Sequence, residues 1–193
     1  MLYTKSNTVG SDILIQNIQS KLYTALKISW GISDDVRYDS YGRVYKVSSD
    51  KGAIPEFYVG SEDYKEMIFD STTNDVLSFF VLGDKTSYQL GIETADAGII
   101  FKINIENIKP AITWRPDEEI KKDILENLQW LLPKIQQGKF RVEITGTETG
   151  YKNVFREFEG MTANKERGFY NDLNPFLIYR VNLNLTYDIH FTN

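Results

Sequence analysis

Residues 177–189 read LIYRVNLNLTYDI, and their side chains alternate between apolar and polar over almost the whole stretch. The odd-numbered positions are all apolar: Leu177, Tyr179, Val181, Leu183, Leu185, Tyr187 and Ile189. A period of two predicts a β-strand with one buried face. At about 3.3 Å per residue the strand would extend about 43 Å. This length exceeds the usual range of about 3–10 residues.

Two interpretations of so long a strand remain open. It is either a central strand with neighbours on both sides, or a strand that pairs with another subunit, because long exposed edges are normally covered. In the second interpretation the subunit interface is formed by Leu177, Tyr179, Val181, Leu183, Leu185 and Tyr187.

Two other segments have the three- and four-residue spacing of amphipathic helices. The first is Ser11–Lys27, with Ser11 as the expected N-cap and Gly31 as the expected stop. The second is Pro116–Leu132, which begins with a proline and three acidic residues and is expected to end at Pro133.

Between the two helices the apolar spacing changes to two. The predicted strands are Val44–Val47, Glu56–Val59, Val76–Leu82, Tyr88–Ile92 and Gly98–Ile105. Gly98–Ile105 alternates in polarity, which predicts a strand with one solvent-exposed face. Ser61–Asp75 is polar and is interpreted as a loop excursion outside the main sheet. The sequence therefore predicts a single α+β domain over residues 1–193, with a largely antiparallel β-sheet and two amphipathic helices packed on it.

After the second helix, Phe140–Thr145 and Asn153–Phe158 are interpreted as a hairpin whose tip is the polar loop Gly146–Lys152. Glu159–Asn174 has neither period and is predicted to be a long loop. Loops of that length within a compact domain are usually functional.

Composition excludes several kinds of chemistry. The chain has no Cys and one His, which removes thiolate zinc sites, cysteine nucleophiles and most histidine catalysis. Nucleotide-binding and nucleophile-elbow motifs are absent. Asp34, Asp35 and Asp39 are interpreted as solvated turn residues. We therefore predict no catalytic residue, no bound metal and no cofactor.

Charge and hydropathy bear on partners and compartment. The net charge of -5 weighs against a protein that grips nucleic acid. No stretch has the apolar length of a signal-peptide core or of a membrane span. We expect no membrane association and a cytoplasm-like site of synthesis.

The order of these elements resembles the tail terminator and tail completion family of tailed bacteriophages. The segments that carry the resemblance are Asp12–Lys27, Pro116–Leu132, Phe140–Glu143 before the Gly146 loop, and Leu177–Ile189. The resemblance implies a non-enzymatic structural subunit that forms an oligomeric ring at the neck or at the head-proximal end of the tail.

The same resemblance implies partners and a location. The subunit would contact copies of itself and other neck or tail proteins, and DNA would pass through the ring without being specifically bound. It would belong to the virion and assemble in the host bacterial cytoplasm. The residues expected to reach adjoining proteins are Gly146, Glu148, Gly150, Tyr151, Lys165 and Arg167.

The alternative function is a small carbohydrate-binding module or hydrolase with a site of carboxylates and aromatic rings. It predicts a concave pocket with convergent acids. The ring hypothesis predicts apolar or strand-edged patches on opposite sides of the subunit.

Overall fold

The structure, a computed structural model, describes residues 1–33, 35–50, 52–60, 63–66, 74–108, 116–135, 140–158 and 175–190. Its elements are, in chain order, β1 (Leu2–Tyr3), α1 (Ser11–Ser29), β2 (Tyr38–Arg43), β3 (Tyr45–Ser49), β4 (Gly52–Gly60), β5 (Asp63–Glu66), β6 (Val76–Gln89), β7 (Ile92–Asn104), α2 (Ile105–Ile108), α3 (Asp117–Ile135), β8 (Arg141–Thr149), α4 (Tyr151–Val154) and β9 (Phe176–Asp188).

The strands form two sheets. The main sheet has six strands in the order β1-β2-β6-β7-β9-β8, and β3, β4 and β5 form a second, antiparallel sheet. From β6 to β8 the main sheet is antiparallel, whereas β1, β2 and β6 are parallel to one another. The predicted α+β class is confirmed. The parallel pairings were not predicted from the sequence.

Strand β9 lies inside the main sheet. It pairs with β7 from Asn104↔Phe176 to Ile92↔Asp188, and with β8 on its other side. Of the six predicted interface residues, the following are at most 3% exposed: Tyr179, Val181, Leu183, Leu185 and Tyr187. Leu177 is partly buried against the same core. The interface prediction is therefore wrong, because these side chains pack beneath the helices of their own chain.

Helix α1 ends where the sequence predicts. Gly31 has a φ of +58°, its N–H donates to the Ile28 carbonyl at 3.1 Å, and the Ile32 N–H donates to the Lys27 carbonyl at 3.0 Å. This is the Schellman arrangement, in which a left-handed glycine satisfies the last carbonyls. The predicted start is wrong by one residue, because Gly10 is the N-cap and Ser11 lies within the helix.

Helices α1 and α3 cover one face of the main sheet. Leu22 and Leu26 of α1 and Ile124 of α3 share a core cluster with Ile99 and Val181 of the strands. Helix α3 continues to Ile135, so Pro133 lies inside its last turn and does not end it. The two predicted amphipathic helices therefore pack on the sheet as expected.

The opposite face is also covered, which corrects the prediction of a wet face for residues 98–105. Ile100 is fully buried and Lys102 is 7% exposed. Ile100 shares a second core cluster with Phe79, Phe155 and Phe158. A layer formed by residues 151–158 shields this face from water. The alternation of side chains within β7 could not predict this layer, because it lies far away in the sequence.

Strands β6 and β7 form a longer hairpin than predicted. The expected break at Gly83 lies inside β6, in a stretch where the pairing register shifts between Leu82 and Thr86. A β-bulge absorbs the extra residues without ending the strand. Tyr88–Ile92, predicted as a strand, contains the actual turn at Leu90 and Gly91.

Leu90 occupies a strained position in that turn. Leu90 and Gly91 have φ values of 53° and 82°, and a two-residue hairpin turn of this kind favours Asn-Gly. The Leu90 side chain is 93% exposed, so packing does not offset the strain. We expect Leu90→Asn to raise the free energy of unfolding by about 1 kcal/mol, measured by urea denaturation followed by circular dichroism.

The control for this prediction is Leu90→Ala. It removes the exposed side chain but retains a Cβ in the left-handed conformation, so it should not stabilise the protein. An equal gain in both variants would contradict the assignment of the effect to the backbone.

The second sheet occupies part of the segment interpreted as an excursion. Asp63–Glu66 forms β5 and pairs with β4, so these residues are a strand outside the main sheet and not a loop. Residues 61–62 and 67–73 lie outside the described part of the chain. The long loop predicted at 159–174 also falls outside it.

Candidate functional site

The predicted partner-contact residues do not form a hairpin tip. Gly146 and Glu148 lie within β8, Gly150 precedes α4, and Tyr151 begins α4. Strand β8 pairs with β9, and Asn153–Phe158 is not a strand. Lys165 and Arg167 lie outside the described residues.

The sequence of this region contains a helical spacing, although Asn153–Phe158 was interpreted as a strand. The apolar residues Tyr151, Val154, Phe155 and Phe158 follow the i, i+3, i+4, i+7 spacing of a helix face. Val154, Phe155 and Phe158 are at most 1% exposed against the second face of the sheet. This apolar packing explains why the segment turns inward and does not extend as a strand.

Arg180 anchors this segment to the sheet. Its Nη1 and Nη2 atoms lie 2.6 and 2.7 Å from the two carboxylate oxygens of Glu157, and its Nε donates to Asn182 Oδ1 at 2.7 Å. Nη1 also donates to the Val154 carbonyl at 3.1 Å. Arg180 is 3% exposed. Such a bidentate, buried pair fixes both partners in one geometry.

Gly98 of β7 makes room for the guanidinium. A Cβ at this position would lie 2.7 Å from Arg180 Nε. The glycine is therefore required by the close approach of the arginine and not by a turn.

Glu148 belongs to the same polar network. Asn182 Nδ2 donates to Glu148 at 2.6 Å, and Arg156 forms an ion pair with it. Burial acts to raise the pKa of Glu148, but the hydrogen bonds from Asn182 and Arg156 outweigh it and leave the pKa below its ordinary value. This predicted partner-contact residue is thus engaged within its own chain.

One edge of the main sheet is β8. Eight of its nine residues pair with β9 on one side, and no strand in the described part of the chain lies on the other. Arg141, Glu143 and Thr145 are exposed, Val142 is buried and Ile144 is half-buried.

Strand β6 loses its described neighbour on one side halfway along its length. Strand β2 pairs with β6 from Tyr38↔Val76 to Arg43↔Phe80, and the last contact is the Val44 N–H to the Phe80 carbonyl at 2.8 Å. The chain then leaves to form β3 of the second sheet. Beyond Phe80, no other described strand covers this side of β6.

A cleft of about 650 Å³ opens where β2 and β6 separate. Its lining residues come from the start of α1, from Arg43–Lys46, from Val81–Gly83 and from β7 and β9. The cleft is thus a consequence of the topology, because one strand leaves the sheet while its neighbour continues.

The cleft contains two carboxylates, and each is bound by a tyrosine. Tyr45 donates to Asp12 at 3.3 Å, and Tyr187 donates to Glu93 at 2.6 Å. Burial and the hydrogen bond to Glu93 raise the pKa of Tyr187 to about 12. Arg43 Nη1 lies 3.7 Å from Asp12. This combination of acids, rings and a cation suits a polar ligand.

The three aspartates interpreted as turn residues have different environments. Asp39 is 1% exposed within β2 and is paired with Arg37, with Nη2 to Oδ2 at 3.0 Å, so the solvated interpretation is wrong for it. Asp35 is exposed in a turn, and residue 34 lies outside the described chain. Within the ranges that the structure describes, no three Asp, Glu, His or Cys side chains are grouped so that they could hold a metal ion.

The described part of the chain is thus an α+β structure with a cleft where β2 and β6 separate. No protein-family model matches the sequence, and no curated protein gives a significant match. Of the helices described, none is long and apolar enough to cross a membrane.

Proposed function

We propose that this chain is a non-enzymatic structural subunit of a bacteriophage virion, which self-associates into a closed ring at the neck or at the head-proximal end of the tail. One observation carries the self-association: along β6 beyond Phe80, no other strand in the described part of the chain lies on this side of the main sheet. An open stretch of sheet edge can pair with a strand of another copy, and contacts between two different surfaces close into a ring when the rotation between subunits allows it. The assignment to a phage particle is supported by the resemblance of the element order.

The polar interior of the described chain also supports a structural role. The Arg180–Glu157 pair holds the segment after β8 against the sheet, and Gly98 leaves space for the guanidinium. These groups stabilise one conformation of the subunit, which is consistent with a structural role. The remaining contacts of the ring would be made with other neck or tail proteins.

The proposed location and partners follow from the same function. The subunit would assemble in the host bacterial cytoplasm and remain in the virion, without a membrane partner. DNA would pass through the ring, and the net charge of -5 limits its affinity for phosphates.

The test is the solution mass of the purified protein, measured by light scattering over a wide concentration range and followed by negative-stain imaging. We expect a ring of one defined stoichiometry. A protein that stays monomeric at the highest concentration would contradict self-association.

A second candidate function, a small carbohydrate-binding module or hydrolase, is favoured by the cleft that contains Asp12 and Glu93. Titration of the protein with oligosaccharides by NMR would test it. Shifts confined to the cleft and lost in Asp12→Asn/Glu93→Gln would support the second function over the first.

A further inference from the structure

We propose that the second sheet, formed by β3, β4 and β5, opens away from the rest of the molecule as one unit, and that this opening controls access to the free edge of β6. The proposal rests on the proposed function, because that edge is the surface assigned to self-association. It adds a conformational step that precedes assembly.

The second sheet contributes little to the core of the protein. Among the described side chains of β3, β4 and β5, Pro55 is the one that is buried. Phe57 packs against a core cluster, but only as a partly buried residue. Strands β6, β7 and β9 instead contribute buried side chains to the clusters on both faces of the main sheet. A unit with few buried apolar contacts opens at a lower free energy than the whole protein unfolds.

The described contacts between the second sheet and the rest of the chain are made by aromatic rings and polar groups. The Phe57 ring lies 4.1 Å from the Tyr41 ring, measured between centroids. Tyr45 donates to Asp12 at 3.3 Å, which is long for a hydroxyl donor. Lys5 Nζ lies 5.9 Å from the centroid of the Tyr45 ring. Such contacts are individually weak, so they can break while the core of the main sheet stays intact.

The chain enters the second sheet beside the cleft. The last contact of this segment with β6 is the Val44 N–H to the Phe80 carbonyl, and β3 begins at the next residue, Tyr45. Tyr45 and Lys46 line the cleft together with Val81–Gly83 of β6. A rotation of the second sheet about this junction therefore changes the width of the cleft, because hinges are formed by a few residues at the ends of elements.

Opening exposes backbone groups of Leu82. Along a strand, the N–H and C=O groups of every second residue point to the same side. The Phe80 carbonyl accepts from Val44 at 2.8 Å, so the N–H and C=O of Leu82 face the cleft. In the described part of the chain, no strand pairs with β6 at this level on that side. Exposed backbone groups of this kind are a template for an added strand.

Hydrogen exchange of backbone amides, measured by NMR at low urea concentrations, tests the opening. We expect the amides of β3, β4 and β5 to share one opening reaction, with a smaller urea dependence than the amides of β7 and β9. They should exchange at least about 10-fold faster. Because β4 is the central strand of the second sheet, its amides distinguish opening of the unit from fraying at an edge. If β4 exchanges only together with β7 and β9, the proposal is overturned.

The labelling rate of a thiol at position 82 measures access to β6, because the chain contains no native Cys. Leu82→Cys protein would be treated with a bulky maleimide at low protein concentration. Adding Tyr45→Phe removes the bond to Asp12 and should speed labelling about 3-fold. Adding Phe57→Ala removes the ring that packs on Tyr41 and should speed it about 10-fold. An unchanged rate in both variants would overturn the control of access.

The matched control is Tyr179→Phe in the Leu82→Cys protein. It also removes a tyrosine hydroxyl, but one that forms a hydrogen bond with Thr147 within the main sheet. The labelling rate and the exchange of β3, β4 and β5 should therefore stay the same. Acceleration equal to that of Tyr45→Phe would assign the effect to global stability and would contradict a separate opening.

The mass of the untreated protein distinguishes failure of the opening from failure of the proposed function. A ring formed by a protein whose second sheet exchanges only globally overturns the opening and leaves the function standing. Separate opening in a protein that stays monomeric supports the opening and contradicts the ring. Monomers without separate opening overturn both.

Discussion

Arg180→Met is expected to lower the free energy of unfolding by about 3 kcal/mol, because it leaves the largely buried Glu157 carboxylate with only Arg156 Nε, at 3.6 Å, as a charged partner. The carboxylate of Glu157 is 14% exposed, and both of its oxygens are bound by the guanidinium. Asn182 and the Val154 carbonyl lose a donor in the same step. Chemical denaturation followed by tryptophan fluorescence measures the loss.

Two further variants establish whether the effect arises from the unpaired charge. Arg180→Met/Glu157→Gln removes both charges and should recover part of the lost stability. Arg156→Met removes an arginine that is 46% exposed and should cost less than about 1 kcal/mol. If Arg180→Met costs no more than Arg156→Met, the buried pair does not anchor the segment after β8.

The parts of the fold that were predictable from sequence depend on local periods. The alternation in Leu177–Ile189 and the helical spacing in Ser11–Lys27 and Pro116–Leu132 each place one face of an element against a core. The period identifies the buried face without naming the neighbour that covers it. For this reason β9 was recognised as a strand, and its neighbours remained undecided.

The second face of the sheet was not predictable in this way. Arg180 occupies a polar position of the alternation, yet it is 3% exposed because residues 151–158 lie over it. The helical spacing of Tyr151, Val154, Phe155 and Phe158 spans only two turns, which is too short to stand out from a strand pattern. A covering layer of this kind is a tertiary feature.

The cleft and the free edge of β6 depend on strand pairings between segments that are far apart in the sequence. They exist because β2 stops pairing at Phe80 while β6 continues to Gln89. Asp12, Tyr45, Glu93 and Tyr187 are brought together from four separate parts of the chain. No spacing in the sequence relates these residues, so a search for motifs does not find them.

Leu183→Ala distinguishes the core interpretation of β9 from the interface interpretation. Leu183 is fully buried and pairs with Ala97 on one side and Ile144 on the other. Truncating such a side chain removes apolar burial and leaves a cavity, at an expected cost of about 2–5 kcal/mol. The loss should be present at every protein concentration, because it belongs to the single chain and not to an assembly.

The matched control is Asn184→Ala, the next residue on the same strand. Its amide donates to Asp96 Oδ1 at 3.3 Å on the opposite face, so its loss should cost less than about 1 kcal/mol. Urea denaturation at several protein concentrations, with light scattering on the same samples, separates the two interpretations. If Leu183→Ala left the unfolding transition unchanged and abolished association, the apolar face of β9 would contact a second subunit after all. If it destabilises the monomer, the covered face of β9 is core, and any ring must be built from other surfaces of the subunit.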